Sequence, residues 1–232
     1  MKIVFASATR QPSKEAFFEK TWLGRSLSKL GAISPHPFAV ELALESSEGL
    51  PLFYNSVLEK NPDADAIVFA HDDLAIVDLF FFEKLGLAID EFPVLGLCGC
   101  QTPKDEAHTA WMSPKHTPSG QIGTSIRSST EAVLSTNIST FGQTPARAAE
   151  CDGVFIAVDP KRIEDLRFDE RFAYHHYDVD FTLTADKRGI NVGTWPIFTI
   201  HASNSGDGYL SRSWRKSSEV FCDKWEAKKE AA

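Results

Sequence analysis

The sequence predicts an α/β fold with a mixed, mainly parallel sheet. Short apolar runs alternate with helix-like patterns along the first hundred residues, as expected where strands and helices follow one another. The clearest run is 66–70, five apolar residues that lead directly into His71, Asp72 and Asp73. An uninterrupted apolar run of this length is typical of a strand that is buried on both faces of a sheet.

The first half of the chain contains several strand–helix units. Ser13 is a favourable N-cap, and the helix after it carries the apolar residues Phe17, Phe18, Leu23, Leu27 and Leu30. A second helix opens at Pro51, because proline is well tolerated in a first helical turn. The predicted strands are 2–6, 38–44, 66–70 and 93–97, with a polar loop at 7–12 and a further helix from about 77 to 87.

The pattern is weaker in the middle of the chain and clear again towards its end. Residues 101–150 are rich in Thr, Ser, Pro and Gly and predict no long helix, which indicates functional loops, an insertion or a pair of hairpins. Later we expect strands at 154–158 and 190–195, a short helix from Asp159, a helix at 177–187 ending at Gly189, and an amphipathic C-terminal helix with Trp214, Phe221 and Trp225. No linker or repeat is evident, so residues 1–232 are interpreted as one domain.

Composition and charge exclude several classes of protein. The hydrophobic fraction of 43% is typical of a globular chain, and the net charge of −8, without a basic run, argues against nucleic-acid binding. The apolar start is too short for a signal peptide or a membrane span, and Asp78, Glu83 and Lys84 interrupt the stretch 74–87. We expect a cytoplasmic protein without an integral membrane segment.

The four cysteines do not follow a common metal-binding pattern. Cys98 and Cys100 are separated by one residue, whereas zinc knuckles usually have two, and no second pair follows. We therefore expect reduced thiols, as in most cytosolic proteins, at Cys98, Cys100, Cys151 and Cys222.

Three clusters of acidic and imidazole side chains indicate a metal site. They are 71–73, 175–180, and His201 with the small polar residues that follow it. Ligands in open α/β sheets bind outside the carboxyl ends of the strands, which is where 71–73 is expected. Carboxylate and imidazole ligands without cysteine suit Mn²⁺ or Mg²⁺ better than a structural zinc ion.

The order of these and other short motifs resembles one known family. The motifs are Tyr54-Asn55, Phe-Ala-His-Asp-Asp at 69–73, Cys-Asp-Gly-Val-Phe at 151–155, Leu-Arg-Phe-Asp-Glu at 166–170, His-Tyr-Asp-Val-Asp-Phe at 176–181 and Ile-His-Ala-Ser at 200–203. From about Lys2 to Trp225 the chain resembles glycosyltransferase-like family 2 proteins. The resemblance implies a GT-A-like α/β/α sandwich that transfers a sugar from a UDP- or GDP-sugar to a glycan or other hydroxyl acceptor, with inversion.

The same resemblance implies roles for individual residues. Residues 71–73 match the DxD-type element of the family, with His71 in place of its first acid. Asp73 and His201 would bind Mn²⁺ or Mg²⁺, and Asp178 would be the general base, although Tyr177 stands where the family has Glu. The nucleotide-sugar would contact Ser7, Thr9, Arg10, Tyr54, Asn55, His71, Asp72, Asp152 and Gly153. The acceptor side would contain Trp111, His176 and Asp180. The N-terminal half would hold the nucleotide and the C-terminal half the acceptor, with residues 207–232 forming a helical tail.

Simpler interpretations remain open for several of these residues. Asp72 and Asp73 could cap a following helix, His201 could be a core histidine, and Trp111 could be a hydrophobic plug. Asp180 could pair with Arg188 instead of contacting a substrate. Two other functions are also compatible with the pattern: a degenerate GT-A domain that binds nucleotide or glycan without turnover, and a metal-dependent nucleotidyltransferase.

Overall fold

The computed structural model describes residues 1–34, 36–47, 49–101, 111–112, 116–127, 133–202 and 211–225. Its helices are α1 (Lys14–Lys20), α2 (Trp22–Ile33), α3 (Leu50–Lys60), α4 (Phe81–Glu91), α5 (Tyr177–Lys187) and α6 (Arg212–Trp225). Its strands are β1 (Ile3–Ala8), β2 (Phe38–Ala43), β3 (Ala66–Ala70), β4 (Leu74–Ile76), β5 (Val94–Gly96), β6 (Cys98–Gln101), β7 (Thr117–Arg127), β8 (Val133–Thr140), β9 (Ala146–Ala148), β10 (Glu150–Cys151), β11 (Phe155–Val158), β12 (Val192–Thr194) and β13 (Thr199–His201). None of the helices in these ranges is both long and apolar enough to cross a membrane.

The strands form two sheets. The larger sheet has the order β2-β1-β3-β11-β5-β12-β9, in which β2, β1 and β3 are parallel and β11 runs antiparallel between β3 and β5. The second sheet has the order β10-β6-β7-β13-β4, with β8 paired to β7. The predicted α/β fold with a mixed sheet is confirmed. Parallel pairs do not predominate, because antiparallel pairs are as frequent in the larger sheet, and the sheet is partly rather than mainly parallel.

Two hydrophobic cores cover the two faces of the larger sheet. Strand β3 shows the division, because Ile67 and Phe69 pack into one core while Ala66, Val68 and Ala70 pack into the other. Helices α3, α5 and α6 contribute to the first core, and α1, α2 and α4 contribute to the second. The resulting layers are helix, sheet and helix, and they explain why β3 is apolar at every position.

Several local predictions are confirmed. The Ser13 hydroxyl accepts from the Ala16 amide at 3.1 Å and caps α1, although the predicted single helix is divided where Thr21 caps α2. Helix α5 has the predicted bounds and is followed by Gly189, whose φ of 80° is in the left-handed region that favours glycine. The amphipathic C-terminal helix corresponds to α6.

The helix predicted from about 77 to 87 is wrong at its start. After Asp73 the chain forms β4, which pairs antiparallel with β13, and α4 begins only at Phe81. Asp72 and Asp73 therefore do not cap a helix. The short helix predicted at Asp159 is also wrong, because the Asp159 carboxylate accepts from the Lys161 amide at 2.9 Å and closes a turn.

The weakly patterned region contains a long β-hairpin. Strands β7 and β8 pair antiparallel, and β6 pairs with both β7 and β10, so the hairpin alternative for 101–150 is confirmed. The parts at 102–110, 113–115 and 128–132 lie outside the described residues, as do 203–206 after His201 and the tail residues 207–210 and 226–232.

Helix α6 is held against α5 by a buried ion pair. The Lys224 ammonium lies 2.8 Å from a carboxylate oxygen of Asp180, whose side chain is 1% exposed, and 2.8 Å from Asp169. The Trp225 indole N–H also donates to Asp180, at 2.8 Å. The alternative that Asp180 pairs with Arg188 is wrong, since Arg188 contacts Asp165.

Lys224→Met should strongly destabilise the fold. The substitution retains most of the apolar stem but leaves the buried Asp180 carboxylate without its cation, so we expect a loss on the order of 3 kcal/mol in the free energy of unfolding. Urea denaturation followed by circular dichroism measures it. Lys161→Met is the control, because Lys161 and Asp65 form an exposed pair that should not affect the midpoint. Equal midpoints for the two variants would contradict this account of α6.

Candidate functional site

The candidate site begins where β3 ends. The His71 amide donates to the Val154 carbonyl at 3.1 Å, and the Leu74 amide donates to the His71 carbonyl at 3.2 Å. These two bonds turn the chain sharply out of the buried sheet. The turn places His71, Asp72 and Asp73 together at the carboxyl end of the strand, where open α/β sheets bind ligands.

Strand β13 brings His201 to the same place. Its pairing with β4 sets His201 opposite Leu74, and the Ala202 amide donates to the Asp73 carbonyl at 2.9 Å. His201 Nε2 then lies 3.2 Å from Asp73 Oδ1. Ligand atoms of His71, Asp73 and His201 all lie within 4.8 Å of one another. Two imidazoles and a carboxylate at this spacing fit a divalent transition metal such as Mn²⁺.

The charges of this cluster depend strongly on one another. Burial alone would raise the pKa of Asp73, but the hydrogen bond from His201 and its charge outweigh burial and lower it. Burial likewise opposes the charge on His201, whereas Asp73 raises the pKa of His201 above its ordinary value. Burial lowers the pKa of His71 and favours the neutral imidazole that ligates a metal.

A cleft of about 590 Å³ opens beside the cluster. Six of the sequence-predicted residues line it, namely Thr9, Arg10, Tyr54, His71, Asp72 and Asp73. The Thr9 hydroxyl donates to Asp72 Oδ2 at 2.6 Å, and burial raises the pKa of Asp72. The lining also includes Gln11, Ser46 and Tyr174, which the sequence interpretation missed because they lie in loops without a recognisable motif.

Tyr177 connects the cluster to the Asp152–Gly153 turn. Its hydroxyl donates to the Gly153 carbonyl at 3.0 Å and lies 3.1 Å from His71 Nε2. Since the hydroxyl has a single proton, it can only accept from His71, so His71 Nε2 carries the hydrogen and Nδ1 retains its lone pair. Tyr177 therefore orients His71, a role that the sequence interpretation missed because Tyr177 was treated only as a departure from Glu.

Asp178 lies on the other side of the same turn. Its Oδ2 accepts from the Gly153 amide at 2.7 Å. Burial and the neighbouring charge of Asp152 raise the pKa of Asp178 to about 7. Asp152 is itself held by the Trp111 indole N–H, which donates to Oδ2 at 3.0 Å, and by the Val154 amide.

Other predicted site residues lie elsewhere or point into the core. His176 and Asp180 face α6, where His176 Nδ1 lies 2.9 Å from the Ser217 hydroxyl and its ring lies 5.0 Å from that of Trp214. Asn55 exchanges hydrogen bonds with the backbone of Phe168. Ser7 is an interior residue of β1 and is fully buried, and Trp111 is almost fully buried against Phe141. The structure does not bring these five side chains into the cleft.

Comparison with known proteins gives similarity only at the level of solved structures. No protein-family model matches the chain, and no curated protein sequence matches it. The chain is similar to A197 from STIV, with 12% identity, a TM-score of 0.47 and coverage of 88% of this chain and 83% of that one.

Another similar structure is HddC from Yersinia pseudotuberculosis. It shares 11% identity with this chain at a TM-score of 0.41, and its complex with GMP-PN shares 10% at a TM-score of 0.43. Both matches cover 95% of this chain and 99% of that one. Similarity at these identities concerns the course of the chain and not the roles of side chains.

Gly153→Ala should disrupt the turn between Asp152 and Val154. An added Cβ would overlap the Tyr177 hydroxyl and would lie 2.8 Å from Asp178 Cβ, so we expect a loss of about 2 kcal/mol in the free energy of unfolding. Urea denaturation measures the loss. Gly31→Ala is the control, because its Cβ would meet only the Phe38 ring at 3.5 Å and alanine favours the helix. Unchanged stability in Gly153→Ala would contradict the described packing.

Asp178→Asn should stabilise the protein more at pH 8 than at pH 5. The pKa of about 7 in the fold is above the value of 3.8 in an unfolded chain, so the stability that Asp178 contributes is complete below pH 3.8 and is lost as pH rises through 7. Asparagine does not titrate, and its relative advantage should grow by on the order of 2 kcal/mol between these pH values. Urea denaturation at both pH values measures it.

Asp65→Asn is the control for this titration. Lys161 holds the pKa of Asp65 below its ordinary value, so the difference from wild type should be constant between pH 5 and pH 8. If Asp178→Asn also shows a constant difference, Asp178 does not titrate near neutrality in the fold.

Proposed function

We propose that this chain is a metal-dependent glycosyltransferase of the GT-A type, related to glycosyltransferase-like family 2. It moves a sugar from a UDP- or GDP-sugar to an acceptor hydroxyl, with inversion. One observation carries the proposal: the ligand atoms of His71, Asp73 and His201 converge within 4.8 Å beside a cleft of about 590 Å³. That volume is in the usual range for small-molecule and cofactor sites.

Asp73, His201 and His71 Nδ1 would hold the metal. Two imidazole nitrogens favour Mn²⁺ over Mg²⁺, which prefers oxygen ligands alone. When bound, the cation would offset the negative charge that develops on the departing nucleoside diphosphate. The Tyr177 hydroxyl supports this arrangement, because a hydrogen-bonded second nitrogen fixes the orientation of a ligating imidazole.

The side chains of the cleft suit the other parts of a nucleotide-sugar. Arg10 supplies a positive charge in an otherwise acidic region, where it can contact a phosphate or the nucleotide base. Asp72, fixed by the Thr9 hydroxyl, offers a carboxylate oxygen to a ribose hydroxyl. The nucleotide part of the donor would therefore bind to the loop after β1 and the turn after β3.

Asp178 is the proposed general base. An acceptor hydroxyl is a weak nucleophile, so its proton must move to a base as the new bond to the sugar forms. A carboxylate with a pKa of about 7 accepts that proton well near neutral pH. The Gly153 amide fixes its orientation, and Asp152, which raises its basicity, would line the sugar side with Gly153.

Asp73→Asn should abolish metal-dependent nucleotide binding. The substitution removes the only carboxylate of the His71–Asp73–His201 cluster, so UDP or GDP should bind wild type in the presence of Mn²⁺ and should bind the variant at least tenfold more weakly. Isothermal titration calorimetry with and without Mn²⁺ measures both affinities. Asp65→Asn, on a remote surface, is the control and should bind as wild type does. If neither nucleotide binds wild type, the proposal fails for these donors.

Asp178→Asn should separate binding from turnover. Loss of a general base typically lowers the rate by about 10²–10⁴-fold, whereas the affinity for nucleotide should change little. The wild-type rate should rise as pH increases through about 7, since the unprotonated carboxylate is the active form. A panel of UDP- and GDP-sugars with detection of the released nucleoside diphosphate measures the rate.

The products of that panel also test the two other candidate functions. Release of pyrophosphate in place of a nucleoside diphosphate would identify a nucleotidyltransferase. Metal-dependent nucleotide binding without turnover of any donor would identify a domain that binds without catalysis. Full activity of Asp178→Asn would overturn only the assignment of Asp178 as the general base.

A further inference from the structure

A second group of metal-ligating side chains lies inside the smaller sheet. Cys100 is on β6, His116 directly precedes β7, and Glu150 is on β10. Their exposed fractions are 0%, 7% and 0%. Cys100 Sγ lies 3.1 Å from His116 Nδ1 and 3.7 Å from Glu150 Oε2, and one ligand atom from each residue lies within 4.8 Å of the other two.

We propose that Cys100, His116 and Glu150 form a buried site for one zinc-like divalent cation. Zinc binds sulfur at about 2.3 Å and nitrogen or oxygen at about 2.0–2.2 Å, so its tetrahedral ligand atoms are roughly 3–4 Å apart. The two measured separations from Cys100 Sγ are in this range. The proposal is independent of the function proposed above, because it involves a different cluster and a different class of metal.

The ligand set distinguishes this site from the one at the cleft. A thiolate is a soft ligand that selects zinc and related ions, whereas Mn²⁺ and Mg²⁺ prefer oxygen. The His71–Asp73–His201 cluster contains no sulfur. Cys98 is not part of the second cluster, which explains why the Cys98–Cys100 spacing gave no metal-binding pattern in the sequence.

The position of the site indicates what the cation would do. Glu150 is directly opposite Cys100 in the β10–β6 pair, and β6 pairs with β7, so one ion would cross-link three neighbouring segments. Strand β10 ends at Cys151, directly before Asp152, and the Asp152 amide donates to the Cys98 carbonyl of β6 at 3.0 Å. A bound cation would therefore stabilise the Asp152 turn from the side of the smaller sheet.

Cobalt substitution tests the proposal, because a Co²⁺–thiolate bond gives a near-ultraviolet charge-transfer band. Protein of residues 1–232 with Asp73→Asn and His201→Asn, which together remove the other cluster, is titrated with Co²⁺. We expect a band that saturates at one equivalent, is displaced by one equivalent of Zn²⁺ and disappears in Cys100→Ser. Cys98→Ser and Cys151→Ser are the matched controls, since both cysteines are buried nearby and neither belongs to the cluster.

Two further measurements keep the test decisive if Cys100→Ser does not fold. His116→Gln should weaken Co²⁺ binding at least tenfold while retaining the thiol, and chelator should lower the unfolding midpoint of zinc-loaded protein. No band in the double variant, or a band that Cys98→Ser removes as fully as Cys100→Ser, would overturn the site. Such a result would leave a hydrogen-bonded thiol, imidazole and carboxylate without a cation, and would not affect the nucleotide-binding test.

Discussion

The candidate site depends on the antiparallel insertion of β11 between β3 and β5. Pairing of Phe155 with Ala70 extends to a backbone bond between the Val154 carbonyl and the His71 amide, which fixes the relative positions of two turns. One turn carries the residues after β3, and the other carries Asp152 and Gly153. Tyr177 and Asp178, at the start of α5, then bond to Gly153 from the helix side. An added Cβ at Gly153 would overlap this junction, so the close approach of α5 requires glycine.

This junction places the Asp178 carboxylate where its charge reduces the stability of the fold near neutral pH. Burial and Asp152 raise the pKa of Asp178, so its carboxylate is poorly solvated near neutral pH. The Asp73–His201 pair has the opposite character, because each group stabilises the charge of the other. A site with one basic carboxylate and one ion-paired carboxylate has the chemical division that proton transfer and cation binding require.

The sequence predicted those helices and strands that depend on interactions between residues close together in the chain. The buried strand β3, the bounds of α5 and the Ser13 cap follow from apolar periodicity and capping. Strands β4 and β13 were not predicted, because each has three residues and forms through pairing with strands that are distant in the sequence. The same limit applies to the site. The order of motifs grouped Asp73 with His201, which the structure places 3.2 Å apart, but nothing local indicated that Cys100 lies beside His116 and Glu150.

The central claim is that Asp73 and His201 hold a metal that a bound nucleotide shares. Diffraction at the manganese absorption edge from a crystal of wild-type protein with Mn²⁺ and UDP or GDP tests it directly. The account predicts an anomalous peak between the Asp73 carboxylate and the His201 imidazole, with diphosphate density adjoining it in the cleft. Nucleotide density in the cleft without a peak at that position, or manganese bound only elsewhere, would contradict it.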